Sequence, residues 1–207
     1  MIDNILKYFP DLSDRQRQQL EAMTELYPEW NMKINVISRK DIDNLEINHI
    51  LHSLAIAKFI KFQAGSRILD FGSGGGFPGI PLAVVFPDSH FHLVDRIGKK
   101  LKVAQSIADQ IGLTNVSVQH GDIGECHEKF DFIVSRAVMP QPDLLKLSAK
   151  NISKENKNAY PNGIIALKGG DLNAELRPIR KITDIIPVNQ YFSEPFFDKK
   201  QIIYTQA

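Results

Sequence analysis

The chain has 207 residues, 43% of them apolar, and its 25 basic and 24 acidic side chains leave a formal net charge of +1. A chain of this length can form a core that needs no disulfide. The single cysteine excludes a disulfide scaffold and a cysteine-rich zinc site. The balanced charge argues against a protein that is held to nucleic acid by its overall charge. No apolar run is long enough to span a membrane and the N-terminus lacks the pattern of a signal peptide, so we expect a cytoplasmic protein without membrane contact.

The first part of the chain, residues 1–62, has the pattern of helices. Ser13 begins a sequence with the spacing of an N-terminal capping box, and Pro28 predicts a kink or an end of the helix that follows. A second helix is predicted over residues 42–60. We expect a helical extension over residues 1–62 that packs as one unit with a domain formed by residues 63–207.

Beyond residue 65, short apolar runs alternate with helical segments. The predicted strands are residues 67–71, 90–95, 116–119, 130–135 and 163–168, and the clearest helix between them spans residues 99–111. This alternation predicts a mostly parallel sheet with helices on both faces. Two further extended runs, 184–192 and 201–205, have no long helix between them and predict an antiparallel pair at the edge of the sheet.

A glycine-rich loop, DFGSGGGFPG, follows the first predicted strand. Glycines let the backbone turn sharply and approach a ligand, and the N–H groups of the next helix point toward whatever binds there. Gly74 and Gly76, with Gly79, match the spacing of a dinucleotide loop, which is a weak signal by itself. Asp70, two residues before Gly72, is typical of a Rossmann-like methyltransferase, where this carboxylate holds the loop and the amino group of methionine.

Acidic residues also follow the next strands. Asp95 ends the second predicted strand, where a carboxylate can accept both ribose hydroxyls of an adenosine. Asp122 follows the third strand and suits an adenine contact and a turn cap equally well. The order of strand, loop, helix, strand and acid favours a cofactor site over a reading in which Asp70 only caps a turn and Asp95 only ends a strand.

Five segments give the chain a specific resemblance to one family. They are Trp30-Asn31 with Lys33 and Asn35, the run HILHS at residues 49–53, the loop at residues 70–81, Ser135-Arg136-Ala137, and Leu167-Lys168-Gly169. With these segments, nearly the whole chain resembles the glucose-inhibited division protein B family, the RsmG-type methyltransferases of bacterial small-subunit ribosomal RNA.

The resemblance implies methyl transfer from S-adenosylmethionine to N7 of a guanine in the 530 loop of 16S rRNA, without a metal. It implies a Rossmann-like class I fold with a seven-stranded sheet whose last strand is antiparallel, and 16S rRNA or the small ribosomal subunit as partner. The positions that it assigns to cofactor binding are Gly72, Phe77, Ile123, Gly124 and Arg136. Ile123 and Gly124 would bind through their backbone groups. The chain departs from the family pattern at His52, Asp122 and Gly124.

The expected chemistry needs few catalytic groups. Guanine N7 has an in-plane lone pair and can attack the sulfonium methyl group without losing a proton, so no general base is required. Arg136, just after the fourth predicted strand, is the main catalytic candidate, because its guanidinium suits guanine O6 or a phosphate; the alternative is a surface arginine paired to a carboxylate. Lys168 is a second catalytic candidate, and a solvated strand end explains it equally well.

Other polar residues have less specific interpretations. His49 and His52 lie three residues apart without further ligands at metal spacing, which favours packing or rRNA contact over a metal. Cys126 lies in a polar stretch, and we assign it no role. Three basic groups are candidates for rRNA phosphates: Arg96, Lys99, Lys100 and Lys102; Arg177, Arg180 and Lys181; Lys199 and Lys200.

Other functions remain as alternatives to the rRNA methyltransferase. One is an NAD-dependent oxidoreductase, which the position of Asp70 and the lack of an evident proton donor disfavour. Another is a non-catalytic RNA-binding adaptor on the same fold. A third keeps S-adenosylmethionine but changes the acceptor. The absence of a long exposed apolar stripe predicts a monomer.

Overall fold

The computed structural model describes residues 2–207 and contains seven strands in one sheet. The strands are β1 (Arg67–Phe71), β2 (His90–Asp95), β3 (Val116–His120), β4 (Phe132–Arg136), β5 (Gly163–Gly169), β6 (Thr183–Pro187) and β7 (Lys200–Gln206). Their order across the sheet is β3–β2–β1–β4–β5–β7–β6. Strands β1 to β5 are parallel, and β7 is antiparallel to both β5 and β6. The predicted mostly parallel sheet with an antiparallel last strand is confirmed.

Seven α-helices accompany these strands. They are α1 (Asp3–Tyr8), α2 (Asp14–Lys33), α3 (His52–Phe59), α4 (Gly79–Val85), α5 (Gly98–Gln110), α6 (Gln141–Ser148) and α7 (Asn173–Leu176). A 3-10 turn at Ile42–Asn44 and a π-helical segment at Leu45–Leu51 precede α3. No helix within residues 2–207 is both long and apolar enough to cross a bilayer.

The start of α2 follows the sequence pattern, whereas its end does not. The Ser13 side chain and Gln16 form the predicted capping box. Of the two outcomes predicted at Pro28, the helix end is wrong, because α2 continues to Lys33, and the kink stays a prediction. A proline removes one backbone donor from the helix. Tertiary contacts hold the helix on both sides of it, since the Tyr27 hydroxyl donates to Gly75 O and the Asn31 side chain bonds to the next loop.

The second predicted helix is present but is not one α-helix. Residues 42–44 form a 3-10 turn, Leu45–Leu51 a π-helix and His52–Phe59 an α-helix. Apolar spacing predicts that a segment is helical but does not separate these hydrogen-bond patterns. The π turn carries His49, whose side chain contacts Arg136.

Both faces of the central strands are buried, as expected for parallel strands covered by helices. Ile68 and Leu69 are adjacent in β1 and belong to two different hydrophobic clusters. The larger cluster combines α1 to α5 with one face of the sheet, and the smaller one includes residues of α6 and α7. Cys126 lies in a polar stretch of sequence, yet its side chain is buried in the smaller cluster.

Candidate active site

A cleft of about 460 Å³ opens at the carboxyl ends of the central strands. Its lining includes Phe71 and Gly72 at the end of β1, Val94 to Ile97 at the end of β2, Gly121 and Ile123 after β3, and Val138 and Met139 after β4. Ligands bind in this position in open α/β sheets, and the volume lies in the range of small-molecule pockets. Three predicted cofactor residues therefore meet at one cleft: Gly72, Asp95 and Ile123.

The Asp70 carboxylate is fully buried below the glycine loop. Its Oδ2 accepts a hydrogen bond from the Gly79 amide at 2.7 Å, which ties the end of β1 to the start of α4. Its Oδ1 is buried without a hydrogen-bond partner among residues 2–207. Burial raises the pKa of Asp70 to about 7, although the Gly79 amide and Arg136 favour the charged form. A cationic group beside Oδ1 would satisfy this oxygen.

The Asp95 carboxylate, at the end of β2, organises the glycine loop. Its Oδ2 accepts from the Gly74 amide and its Oδ1 from the Ile97 amide, each at 2.7 Å. A carboxylate oxygen has two lone pairs, so both oxygens retain the capacity to accept from a ligand hydroxyl. Asp95 therefore fixes the loop at Gly74 and still presents acceptors to the cleft.

Arg136 ends β4 and is held by groups from the N-terminal part of the chain. Its Nη2 is 3.0 Å from His49 Nδ1, its Nη1 donates to Asn48 O at 3.4 Å, and the guanidinium lies 5.0 Å from the centre of the Phe77 ring. Burial lowers the pKa of Arg136 to about 10, so the guanidinium stays protonated at neutral pH. The alternative of a surface arginine paired to a carboxylate is wrong.

The family model for rRNA small subunit methyltransferase G matches residues 16–201. Curated proteins named ribosomal RNA small subunit methyltransferase G are similar along almost their whole length. One from Bacteroides fragilis is 56% identical over 200 residues, 97% of each chain, and one from Flavobacterium psychrophilum is 48% identical over 98% of this chain and 97% of its own. The chain belongs to the rRNA small subunit methyltransferase G family.

Solved structures place the fold of this family member among class I methyltransferases. An MtNAS mutant in complex with S-adenosylmethionine has a TM-score of 0.58 at 14% identity, over 93% of this chain and 76% of its own. A methyltransferase from Thiobacillus denitrificans with S-adenosyl-L-homocysteine has a TM-score of 0.54 at 15% identity, over 79% of this chain and 76% of its own. At these identities the likeness concerns the fold alone.

Lys168, in the segment Leu167-Lys168-Gly169, lies beside the cleft and not in solvent. Its side chain is 8% exposed, pairs with Glu175 at 2.9 Å and donates to Met139 O at 2.6 Å. The alternative of a solvated strand end is wrong. Because Met139 lines the cleft, these contacts hold one lip of the cleft in place.

The loop after β3 supports one interpretation of Asp122. Its Oδ1 accepts from the Gly124 amide at 2.7 Å, and its other oxygen pairs with Arg96. Asp122 is therefore a turn cap, one of its two predicted roles. The Gly124 amide is already bonded, and Ile123 rather than Gly124 lines the cleft.

The remaining predicted residues make packing or polar contacts near the site. A Cβ on Gly76 would lie 2.5 Å from Ile80 Cγ1, so this glycine allows close packing of the loop on α4. His49 contacts Asp41 and Arg136, and buried His52 packs edge-on against Phe196. No group of three metal-binding side chains is found within the described residues.

Sequence reasoning missed two contributors to the site. Tyr27 is fully buried, donates to Gly75 O at 2.8 Å and packs against the Phe77 ring. Asp41 accepts from His49 and thereby supports Arg136. Tyr27 had one available signal, since a hydroxyl on the apolar face of a helix needs a buried partner. Asp41 had none, because its partners lie on other elements.

Proposed function

We propose that this chain transfers the methyl group of S-adenosylmethionine to N7 of a guanine in the 530 loop of bacterial 16S rRNA. The observation that carries the proposal is the meeting of Asp70, Asp95 and Arg136 at one edge of the sheet in a member of the rRNA small subunit methyltransferase G family. The partner is 16S rRNA or the small ribosomal subunit in the cytoplasm, and the protein acts as a monomer.

The residues around the cleft fit S-adenosylmethionine. The orphaned Oδ1 of Asp70 suits an ammonium group, and Asp95 presents acceptors for two ribose hydroxyls. Gly72 and Ile123, which have no polar side chains, also line the cleft. When bound there, the cofactor supplies an electrophilic methyl group on a sulfonium.

The protein's contribution to the reaction is alignment. Since N7 needs no deprotonation, the enzyme has to bring the acceptor nitrogen into line with the methyl carbon and exclude water, which lowers a barrier by roughly 7–11 kcal/mol in favourable cases. Arg136 is fixed by His49, Asn48 O and the Phe77 ring. We assign its remaining N–H groups to guanine O6 or to a neighbouring phosphate.

The first test is methyl transfer from labelled S-adenosylmethionine to small ribosomal subunits that lack the modification. The proposal predicts incorporation into 16S rRNA by the wild-type chain and none by Arg136→Ala, with both proteins folded and binding S-adenosylhomocysteine. Wild-type turnover by Arg136→Ala would remove the role assigned to the guanidinium.

A thermal-shift comparison separates the alternative functions. S-adenosylhomocysteine is expected to raise the melting temperature and NAD to leave it unchanged. A response to NAD alone would favour an oxidoreductase. Binding of S-adenosylhomocysteine without transfer to rRNA would favour another acceptor or a non-catalytic adaptor.

A further inference from the structure

A short basic segment begins at the last residue of α2 and passes beside the glycine loop. Residues 33–40, here called the basic rim, contain three basic side chains, Lys33, Arg39 and Lys40, and no acidic one, in a chain whose net charge is only +1. All three side chains are exposed. The Lys33 ammonium lies 5.2 Å from the centre of the Trp30 ring, a cation–π distance that limits its freedom.

The middle of the basic rim, at Val36 and Ile37, is anchored beside the glycine loop. Asn31 Oδ1 accepts from the amides of Val36 and Ile37 at 2.8 and 2.9 Å, and its Nδ2 donates to Ile37 O at 2.9 Å. The Val36 side chain covers Gly75, where an added Cβ would lie 2.8 Å from Val36 Cβ. The Trp30-Asn31 and Lys33 motif therefore shapes this segment and sets it against the loop that forms one side of the site.

The C-terminal end of the basic rim leads to Arg136. Asp41, which follows Lys40, accepts from Asn48 Nδ2 at 2.5 Å, and its Oδ2 is 2.6 Å from His49 Nε2. His49 in turn contacts Arg136. The rim therefore runs from the glycine loop to the guanidinium assigned to the acceptor, with its basic side chains in solvent.

Of the three basic groups named from the sequence, one lies away from the cleft and a second has its cleft-side arginine paired; the third, Lys199 and Lys200, lies next to the end of β5. Thr183 starts β6 and is paired with Thr205, which is paired with Ile164 near the start of β5. This places Arg180, which donates to Thr183 O, near the sheet edge opposite the cleft. Arg96 lies at the cleft, but its charge is paired with Asp122.

We propose that the basic rim is the surface that holds the sugar-phosphate backbone of the rRNA beside the target guanine. This inference rests on the proposed methyl transfer to rRNA and adds the residues that dock the substrate. Phosphate contacts fix the position and orientation of a nucleic acid without reading its sequence. Three cations on a segment anchored at its middle and at its C-terminal end would hold the backbone next to the atoms that Arg136 aligns.

The test is steady-state methylation of small subunits by the triple variant K33Q/R39Q/K40Q. A matched control, K61Q/K146Q/K154Q, removes three exposed lysines that lie outside both the rim and the cleft. The rim variant is expected to raise KM for the subunit at least about tenfold and to leave kcat within about twofold. Affinity for the subunit should also depend less on salt. The magnitude of the slope of log affinity against log salt should decrease by about two to three, close to one per lost phosphate contact.

The charge-conserving variant K33R/R39K/K40R should keep the wild-type KM and slope. A rim variant with wild-type KM and slope, or a control variant with the same loss, would overturn the inference while the wild-type chain still methylates rRNA. Wild-type protein that transfers no methyl group would overturn the proposed function as well. Binding of S-adenosylhomocysteine, measured in all variants, should not change.

Discussion

Arg136 donates a hydrogen bond from Nη2 to His49 Nδ1 at 3.0 Å, and this contact fixes the protonation of the imidazole. A guanidinium has donors only, so Nδ1 carries no proton and the proton resides on Nε2, which donates to Asp41 Oδ2 at 2.6 Å. Burial, helped by Arg136, lowers the pKa of His49 to about 4. A neutral imidazole between a carboxylate and a guanidinium thus positions Arg136.

The first prediction concerns His49 as a positioning residue. His49→Ala removes the acceptor for Arg136 and is expected to lower kcat for methyl transfer about ten- to a hundredfold, because a small displacement of an aligning group costs this much. Binding of S-adenosylhomocysteine should change little. In a double-mutant cycle with Arg136→Lys, which keeps a positive charge and is expected to retain measurable transfer, His49→Ala should cost far less than it does alone, since both act through one group.

The control for this prediction is His127→Ala, which alters an exposed histidine. It should keep wild-type kcat. Additive losses in the double variant would show that His49 acts independently of Arg136.

The second prediction is a loss of stability in acid that depends on His49. The pKa of His49 is about 4 in the folded protein and 6.5, the ordinary histidine value, in the unfolded chain. Between pH 4 and pH 6.5 the unfolded chain therefore binds more protons than the folded protein. The contribution of neutral His49 to the free energy of unfolding is fully present above pH 6.5. About 2–3 kcal/mol of it is lost as the pH falls toward 4. Urea unfolding at pH 7 and pH 4.5 should show a smaller difference for His49→Gln than for the wild type. Equal differences would contradict the assignment.

The third prediction concerns the buried Asp70. Its pKa is raised from 3.8 to about 7, so ionisation penalises folding increasingly from pH 3.8 to 7 and fully above that. Asp70→Asn should therefore stabilise the protein by up to about 4 kcal/mol at pH 8 and by almost nothing at pH 4.

The same substitution should weaken cofactor binding. If Asp70 holds the ammonium of the cofactor, the affinity of the wild type for S-adenosylhomocysteine rises with pH through about 7, because the ionised carboxylate is the binding form. Calorimetric titrations from pH 5.5 to 8.5 should show this rise in the wild type and a flat, weaker affinity in Asp70→Asn. A pH-independent wild-type affinity would contradict the contact.

The fourth prediction uses two glycines with similar backbone. Gly74 has φ of 56° and Gly65 has φ of 75°, and a Cβ would have no neighbour within 4 Å at Gly65 and only Lys100 Cδ at 4.0 Å at Gly74. Each substitution by alanine should cost about 1–2 kcal/mol of stability from the left-handed conformation. Only Gly74→Ala should also weaken S-adenosylhomocysteine binding, because Gly74 is the glycine that Asp95 fixes at the cofactor loop. Equal affinities in the two variants would exclude Gly74 from the contact.

The fifth prediction separates the two roles open to Lys168. Lys168→Met leaves Glu175 without its cation and is expected to cost about 2–4 kcal/mol of stability, whereas the double variant K168M/E175Q should recover most of it. Methyl transfer is the deciding measurement. Recovery of activity with stability would make Lys168 a support for the Met139 lip. Lost activity in a stable double variant would make it a catalytic residue.

The sequence allowed most of the sheet and half of the site to be predicted. Apolar runs bounded by turn residues identify strands wherever both faces are buried, and Asp70, Gly72 and Asp95 follow strands directly, so local pattern was enough. The path of α2 through Pro28 and the π turn at Leu45–Leu51 depend on tertiary contacts that no local pattern encodes.

The support of Arg136 lay outside the reach of sequence reasoning for the same reason. His49 and Arg136 are 87 residues apart, and their contact requires the N-terminal helical segment to fold over the end of β4. Burial decided the remaining cases. Lys168 and Cys126 lie in stretches of sequence whose polarity predicts exposure. In the structure, both side chains are buried by elements from other parts of the chain.

The most direct test of the account is the position and atom of the methyl group in 16S rRNA. Small subunits that lack the modification would be methylated by the wild-type chain, and the rRNA would then be cleaved by chemistry selective for N7-methylguanine. The account predicts one new cleavage, at a single guanine of the 530 loop, that is absent with Arg136→Ala. Methyl label in the rRNA without cleavage, or cleavage outside that loop, would contradict it.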